Sequence, residues 1–534
     1  MLRSRIALLV MMTTACAVGR RDPGPREVVV ETRPTPTPLG GVTETAPPSE
    51  SAAPPVVQPE AVRTRTIGRC DDAQKALGKA RFTLAHFNDL QARYADRLAG
   101  RSRYAYIAGW LRQLKNDVPE TLVLDAGDDY EKGAVAELRS KGESTRQMVQ
   151  ALPIDVRAIG NHDFAYGEEA VLRDVRLSAH PVLAANVRHD GMADADQPFR
   201  SFVRVDVGCV RVGVIGLVTQ NYDADDQPTN RPFAGVFVQS THYAEILERE
   251  IQEHRGEVDV LIALTHLGYW EDSVLATSKR ARGLDLLVGG HTEDLLKTPR
   301  LAMRRDGSRS WIMQAGHFGR TIGRADVVVD LQKKSASIER YRIIDVDASL
   351  PAAEDVAELA DRLEGEAAPD AHRTIATTRA EVRPGREMID LVRRAAAAEW
   401  GADALLIGRD AFWGGLPKGD VTLQRLYDSV LAQRQPAGSP GFTSMWLVDV
   451  SGADLAALRG AMRSPLHELH LPRTIDPRRT YKLAIEKRAL TMPKLAFGSE
   501  AARAKLAEAT YGGELIDVLE AYARSQTGKA ATID

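Results

Sequence analysis

Short apolar segments recur along the first two thirds of the chain, and each ends in glycine or polar residues. They are segments 81–87, 121–127, 154–160, 209–218, 258–266 and 283–290, rich in Val, Ile and Leu. Such runs are typical of strands buried on both faces of a sheet. Between them, residues 104–117 and 240–255 have helical spacing, and residues 310–332 have the pattern of closing strands. The pattern predicts an α/β domain whose strand ends carry the functional site.

A second alternation begins at about Arg373, after a helical stretch from Ala352 to Ala367. In this part of the chain, helical patterns at 388–400 and 422–433 alternate with strand patterns at 402–408 and 444–452. The chain of 534 residues also exceeds what one hydrophobic core usually organises. We therefore expect two folded domains joined by a helix. The expected ranges are 68–345 for a catalytic domain, 346–372 for the interdomain helix or linker, and 373–534 for a smaller α/β domain.

The first residues predict export. Arg3 and Arg5 precede the apolar run Ile6–Met12, which small residues follow, as in a secretory signal peptide. That run is far shorter than the roughly 20 apolar residues that span a bilayer. Cys16 then resembles the lipidated cysteine of the bacterial lipoprotein processing box, although Thr13 stands where that box usually has Leu. We interpret residues 1–16 as a signal peptide of this type.

Ordinary signal cleavage near Ala17 is the alternative. Residues 17–67 are rich in Pro and Thr and predict a disordered tether, because such a segment buries too little apolar surface to offset its ordering entropy.

The expected location is the periplasm or cell envelope, with membrane contact only through the lipid. Cys70 and Cys209 then remain, and both a disulfide and two free, half-buried cysteines are compatible with the sequence.

Charge limits the class of partner. The chain has 70 basic and 73 acidic side chains, a formal net charge of -3. This balance offers no global attraction to a nucleic-acid polymer or to an anionic membrane surface. We therefore do not expect a nucleic-acid polymer as a partner.

Potential metal ligands follow the predicted strands in a fixed order. Taken singly, each is more simply a turn or helix-cap residue. Together, carboxylates, imidazoles and amide oxygens from separate strand ends are the ligand types that a dinuclear metal site needs. In chain order the candidates are Asp89, Gln91, Asp128, Asn161, His162, Asp163, His266, His291 and Glu293.

This order resembles that of the calcineurin-type metallophosphoesterases, and specifically their 5′-nucleotidase branch. The resemblance runs from about Arg81 to the end of segment 314–330 and continues more weakly to the C-terminus. It implies an α/β (α+β) protein in which a four-layer αββα sandwich precedes a smaller α/β substrate-binding domain. It also implies hydrolysis of a phosphate ester by a hydroxide that bridges two divalent metal ions.

The resemblance also implies roles for the matching residues. Asp128 bridges the two metals, and His162, oriented by Asp163, stabilises the transition state or protonates the leaving oxygen. The remaining ligands divide between two sites, with Asn161, His266 and His291 in one and Asp89, Gln91 and Glu293 in the other.

Two of these positions depart from the family pattern. The family usually has His where this chain has Gln91, and His or Gln where it has Glu293. One metal site is then all oxygen, which favours Mn²⁺, Mg²⁺ or Ca²⁺, whereas the site with two imidazoles also suits Zn²⁺ or Fe²⁺. We expect two divalent ions, with Mn²⁺ favoured and poor activity with Zn²⁺ alone.

The C-terminal domain departs further. Nucleotide-cleaving relatives have an Asn-Gly-Gly-Gly-Ile-Arg loop, where this chain has Gly408–Gly415 with Trp413 near the place of that Arg. Arg409, Phe412 and Trp413 are candidates for a rebuilt anion and stacking site, and ordinary loop and core roles fit them equally. The family's two base-stacking motifs are not recognisable in 431–442 or 486–498.

The leading interpretation is an exported hydrolase of small phosphate esters, with nucleotides as the first candidates. One alternative is a phosphodiesterase for cyclic nucleotides or cell-envelope phosphodiesters. A second is a surface-tethered binding protein with a degenerate metal site, which the departures at Gln91 and Glu293 suggest. The intact Asp128, His162 and His266 argue against that second alternative.

Overall fold

A computed structural model describes residues 65–70, 72–131, 133–219, 221–222, 228–229, 237–430, 443–461, 467–491, 506 and 508–526. All of them belong to one compact unit, Pro55–Asp534. The signal peptide, Cys16, most of the tether and the segments 431–442 and 492–498 lie outside the described residues. Among the helices within these ranges, none is both long and apolar enough to cross a membrane.

Strands build three main sheets. In chain order the strands are β1 Arg65–Ile67, β2 Lys79–Phe87, β3 Arg97–Leu98, β4 Arg101–Ser102, β5 Thr121–Asp125, β6 Val156–Ala158, β7 Val182–Leu183, β8 Val187–His189, β9 Phe202–Val207, β10 Val210–Val218, β11 Asn221–Tyr222, β12 Pro228–Thr229, β13 Phe237–Gln239, β14 Val260–His266, β15 Leu286–Val288, β16 Arg300–Met303, β17 Arg309–Met313, β18 Thr321–Asp330, β19 Ser335–Asp345, β20 Thr374–Thr378, β21 Ala404–Gly408, β22 Gly419–Thr422, β23 Ser444–Ser451, β24 His467–His470, β25 Thr480–Glu486 and β26 Thr510–Glu514.

Helices cover the sheets. In chain order they are α1 Asp72–Ala76, α2 Arg103–Asp117, α3 Val135–Ser140, α4 Glu143–Gln150, α5 Gly167–Leu177, α6 Tyr243–His254, α7 Tyr269–Thr277, α8 Glu354–Ala367, α9 Arg386–Trp400, α10 Leu423–Ser429, α11 Gly452–Ala461, α12 Lys487–Thr491 and α13 Leu515–Ser525. Every strand and helix segment predicted from the apolar pattern has a counterpart among these elements, and residues 431–433 of the predicted helix 422–433 lie outside the described residues.

The two large sheets have parallel centres. One has the order β1-β9-β10-β14-β15-β17-β16 and the other β19-β18-β2-β5-β6-β7. Strands β10, β14, β15 and β17 are parallel in the first sheet, and β2, β5, β6 and β7 in the second. Because the carboxyl ends of parallel strands meet at one edge of a sheet, their loops form a shared surface there.

The packing confirms the four-layer αββα sandwich. Leu84 and Val214, one from each sheet, lie fully buried in a single cluster between the sheets. Leu111 of α2 covers the outer face of the six-stranded sheet, and Leu247 of α6 covers that of the seven-stranded sheet. The near-continuous apolar strands are thus explained by burial on both faces.

A five-stranded sheet of order β24-β21-β25-β23-β26 forms the C-terminal part. Leu391 of α9 packs on one face of this sheet, and Leu455 of α11 packs on the other. The cluster that contains Leu391 also contains Val356 of α8 and Leu111 of α2, so one apolar layer is shared with the sandwich. The boundaries at 345 and 372 stay a prediction.

Cys70 and Cys209 form a disulfide across 139 residues of sequence. The bond joins the chain after β1 to the turn between β9 and β10, where β1 already pairs in parallel with β9. The structure therefore contains the first of the two cysteine alternatives. By restricting the unfolded chain, such a bond stabilises the attachment of the edge strand β1.

A buried guanidinium lies beneath the edge where the loops meet. The Arg157 side chain is 1% exposed. Its Nε is 2.6 Å from Asp129 Oδ2, its Nη1 is 2.7 Å from Asp174 Oδ2, and its Nη2 is 3.5 Å from Asp163 Oδ2. A charged group at this depth requires such partners, because desolvation of an unpaired ion costs several kcal/mol.

Asp163 connects this cluster to two loops. Its carboxylate accepts the backbone N–H of Gly160 at 2.7 Å, and those of Asp128 and Asp129 at 3.2 and 2.8 Å. Gly160 belongs to the loop after β6, and the two aspartates belong to the loop after β5. One side chain therefore sets the relative position of both loops.

Replacing the buried guanidinium tests this role. We expect Arg157→Met to lower the free energy of unfolding by about 3–5 kcal/mol, because three buried carboxylates lose their counter-charge. Urea unfolding followed by circular dichroism measures the change. The matched control is Arg188→Met, which removes an exposed ion pair with Asp194 and should change it by at most about 0.5 kcal/mol. Equal losses in the two variants would contradict the assigned role.

Candidate metal centre

The structure brings the predicted metal ligands to one edge of the sandwich. Asp89 follows β2, Asp128 follows β5 and Asn161 follows β6 in the six-stranded sheet. His266 is the last residue of β14, and His291 follows β15, in the seven-stranded sheet. The two sheets thus contribute ligands from opposite sides of the interlayer core.

Asp128, His266 and His291 form the centre of the cluster. One potential ligand atom from each lies within 4.8 Å of those of the other two. His266 Nε2 is 3.0 Å from Asp128 Oδ2, while His266 Nδ1 donates to the Ala126 carbonyl at 2.7 Å. The Nδ1–H bond leaves Nε2 as the ring nitrogen directed toward the cluster, which is how a metal-binding imidazole is usually oriented.

Asn161 joins this group through His291. Its Oδ1 is 2.9 Å from His291 Nδ1. Gly160 makes the approach of the two loops feasible, since a Cβ atom there would lie 2.1 Å from Asp128 Oδ1. The structure therefore brings together all four residues that were expected to form one of the two metal sites.

The other three expected ligands lie beside this group. Gln91 Nε2 donates to Glu293 Oε1 at 3.0 Å. Asp89 Oδ2 accepts from the His291 backbone N–H at 3.0 Å and from Asn88 Nδ2 at 2.6 Å. These bonds leave Asp89 Oδ1 and Gln91 Oε1 free of protein partners.

Two buried polar atoms of the candidate ligands make no hydrogen bond. A buried polar atom without a partner costs about 1–3 kcal/mol, so a group of them indicates a missing ligand. Nitrogen and oxygen atoms of these types bind divalent cations such as Mn²⁺, Mg²⁺ and Zn²⁺. The residues therefore fit the divalent ions that the family resemblance implies. The atoms without a partner are Asp89 Oδ1 and Gln91 Oε1. His266 Nε2 faces the Asp128 carboxylate at 3.0 Å.

The candidate ligands share an unusual backbone. Non-glycine residues with positive φ are rare, and each costs on the order of 1–3 kcal/mol. Such strain is retained where the surrounding structure enforces it, most often at functional sites. The values of φ are 53° for Asp89, 46° for Gln91, 61° for Asp128, 76° for His291 and 59° for Glu293.

Protons and ion pairs compensate charge in the metal-free cluster. Burial alone would raise the pKa of Asp128, but His266 and His162 lower it well below its usual value. Burial disfavours the charged His266 ring, yet Asp128 raises the pKa of His266 to about 10. Burial raises the pKa of Asp89 to about 7. A cation that binds here must therefore displace protons.

His162 lies beside the cluster. Its backbone N–H donates to Asp128 Oδ1 at 2.7 Å, and its Nε2 is 3.9 Å from Asp128 Oδ2. The carboxylate 2.5 Å from Nδ1 belongs to Glu131. The expected orienting role of Asp163 is thereby corrected, because the Asp163 oxygens bind backbone N–H groups and Arg157. The sequence offered no signal for Glu131, which is buried only through the tertiary fold.

His317 is a second residue that sequence reasoning did not single out. Its Nδ1 is 2.7 Å from Glu293 Oε2, and its Nε2 is 3.2 Å from the Arg320 guanidinium. Glu293, the added negative charge of this chain, is thus flanked by Gln91 and by an imidazole. The segment 314–330 contains His317, but only the fold shows that it reaches the cluster.

The three C-terminal candidates separate in the structure. Arg409 Nε pairs with Glu468 at 3.0 Å and lines a cavity of about 530 Å³ with Arg386 and His470. Phe412 is only 8% exposed and lies in the hydrophobic core, so its expected stacking role is corrected. Trp413 is 41% exposed.

Trp413 faces the metal-site side of the molecule. Its ring meets Phe318 edge to face, with centroids 6.0 Å apart. Phe318 follows His317 in sequence, and the guanidinium groups of Arg93 and Arg320 lie 4.4 and 5.1 Å from its ring centroid. Aromatic and basic side chains from both parts of the chain therefore meet beside the cluster.

Part of the chain is similar to known phosphoesterases. The sequence model of calcineurin-like phosphoesterases matches residues 82–293. A snake venom 5′-nucleotidase from Crotalus adamanteus is 28% identical over 313 residues, 53% of this chain and 50% of that protein. The 5′-nucleotidase of Homo sapiens is 27% identical over 289 residues, 48% of each chain. This chain spans about half the length of these curated relatives.

Solved structures agree on the fold. A 5′-nucleotidase precursor from Thermus thermophilus matches with a TM-score of 0.65 at 19% identity, over 84% of this chain and 96% of that one. At this identity the likeness concerns the fold alone. Residues 82–293 therefore form a calcineurin-like phosphoesterase domain, and 5′-nucleotidases are among its homologues.

Proposed function

We propose that this protein is an exported, metal-dependent hydrolase of small phosphate esters, with nucleotides as its first candidate substrates. The observation that carries the proposal is the convergence of the candidate ligands Asp128, His266 and His291 at one edge of the sandwich, within the phosphoesterase domain. The matched relatives are named 5′-nucleotidases, which favours nucleotides. The Cys70–Cys209 disulfide supports an oxidising compartment.

Two divalent ions are proposed, with Mn²⁺ favoured. In this proposal Asp128 would be shared by the two sites, with Asn161, His266 and His291 completing one and Asp89, Gln91 and Glu293 completing the other. When bound, such ions neutralise charge on the phosphoryl oxygens and acidify a water molecule for attack on phosphorus. The mostly carboxylate and amide set around Glu293 supports a hard ion at that position.

The chain's own residues are proposed to bind and orient the ester. His162 presents Nε2 beside Asp128, where it can donate a proton to the leaving oxygen. Trp413, which packs on the buried Phe318, offers aromatic surface for a base, and Arg320 offers positive charge for a phosphate. In this proposal the region 68–345 supplies the chemistry and the region 373–534 supplies part of the substrate site.

Turnover tests the function. With Mn²⁺ present, we expect hydrolysis of AMP, and we expect Asp128→Asn to reduce kcat at least about a hundredfold because it removes the shared ligand. Phosphate release is the measurement, with a cyclic nucleotide and bis-p-nitrophenyl phosphate as competing substrates. Asp347→Asn, the same change at an exposed site, is the control and should retain full activity. Absence of turnover on all three substrates would reject the proposal.

Proton release tests the metal site independently of turnover. At pH 7.5 His266, with its pKa raised to about 10, is protonated in the metal-free protein, so Mn²⁺ binding should expel about one proton from it. Mn²⁺ affinity should therefore rise with pH up to about 10. Calorimetric titration in buffers of different ionisation enthalpy measures the number of protons released when Mn²⁺ binds. His266→Gln should lower that number by about one proton. A release that the variant leaves unchanged would rule out His266 as a ligand.

A further inference from the structure

We propose that Glu131, on the loop after β5, is the positioning residue that holds His162 for proton transfer to the leaving oxygen. The inference rests on the proposed phosphoesterase function and deepens it. The expected partner of His162 was Asp163, its neighbour in sequence. The geometry assigns the role to a carboxylate from a different loop.

The two side chains form a close, shielded pair. Glu131 Oε2 is 2.5 Å from His162 Nδ1, and the Glu131 side chain is 1% exposed. The opposite ring nitrogen, Nε2, lies on the side of Asp128. A carboxylate at one nitrogen fixes the ring orientation and stabilises a positively charged ring, so that the other nitrogen carries a proton toward the reaction.

The loop around Glu131 is held from several directions. Its own N–H donates to Glu137 Oε1 at 2.7 Å, and its φ of 67° is enforced although it is not glycine. Two residues on, the Gly133 carbonyl accepts from Gln424 Nε2 at 2.7 Å. Gln424 Oε1 accepts the Val135 N–H at 3.0 Å. Hydrogen bonds with Glu137 and with Gln424 of α10, in the C-terminal part, therefore fix the position of the loop that carries Glu131.

The proposed step is a single proton transfer. As the bond from phosphorus to the leaving oxygen breaks, the proton on His162 Nε2 moves to that oxygen, while Glu131 retains the Nδ1–H bond. Water supplies the new bond to phosphorus and the proton that returns to Nε2. The need for the donated proton is greatest when the leaving oxygen is strongly basic, as in the ribose of a nucleoside monophosphate, and least for p-nitrophenolate.

Glu131→Gln separates this role from a structural one. We expect kcat for AMP to fall about a hundredfold or more, and kcat for p-nitrophenyl phosphate to fall less than about tenfold. KM and bound Mn²⁺ per chain should stay within about twofold of the unsubstituted protein. In the His162→Asn background, Glu131→Gln should cause no further loss, since the two residues act as a unit.

The chain offers a matched control. Glu168 Oε1 is 2.7 Å from His189 Nε2, a second Glu–His pair outside the metal centre. Glu168→Gln should leave kcat for both substrates unchanged. Equal losses on AMP and p-nitrophenyl phosphate in Glu131→Gln, loss of Mn²⁺, or additive losses with His162→Asn would each overturn the proposal. If Glu131→Gln does not fold, Glu131→Asp withdraws the carboxylate from Nδ1 and should show the same leaving-group dependence.

A spectroscopic measurement keeps the inference distinct from the proposed function. The close Glu131–His162 pair should produce a downfield imidazole N–H resonance in the proton spectrum. That resonance should vanish in Glu131→Gln and in His162→Asn and persist in Glu168→Gln. Its presence without turnover would reject the phosphoesterase function alone, whereas its absence from the unsubstituted protein would reject the pairing.

Discussion

The candidate metal centre depends on one buried ion cluster, in which Arg157 faces Asp129, Asp163 and Asp174. The Asp163 carboxylate also accepts hydrogen bonds from backbone N–H groups of the loops after β5 and β6. Those two loops carry Asp128, Asn161 and His162. An unpaired Arg157 guanidinium at this depth would be strongly unfavourable, so the carboxylates must stay close to it. Because Asp163 is one of them, this requirement also fixes the relative positions of the two loops.

Above this support, the candidate ligands combine a costly backbone conformation with buried charge. Asp128 and four other candidate ligands have left-handed backbones, and two of their atoms, Asp89 Oδ1 and Gln91 Oε1, are buried without a hydrogen-bond partner. The raised pKa values of His266 and Asp89 reflect the negative charge that is buried among these ligands. Binding energy from a cation would offset each of these costs, so stability and metal binding are coupled in this fold.

The C-terminal part contributes to the same centre through contacts distant in sequence. Gln424 binds the loop that carries Glu131, and Asp428 pairs with Arg93 at 2.6 Å. Trp413 packs on Phe318, which neighbours the His317–Glu293 contact. The second part of the chain is thus joined to the catalytic loops as well as to the proposed substrate side. A shift of the C-terminal part would therefore alter both the loop that carries Glu131 and the proposed substrate side.

The sequence by itself determined an α/β fold and the ligand candidates, and its family resemblance implied the four-layer arrangement. Buried parallel strands need continuous apolar runs, and their loops need the polar residues that follow, so both are visible in local order. Only the tertiary structure decided which side chains support those ligands. Glu131 and His317 lie near His162 and Glu293 through packing, and Phe412 is a core residue although its loop suggested stacking. Partners that meet across many residues leave no periodic signal, because their proximity is set by how the sheets and loops pack.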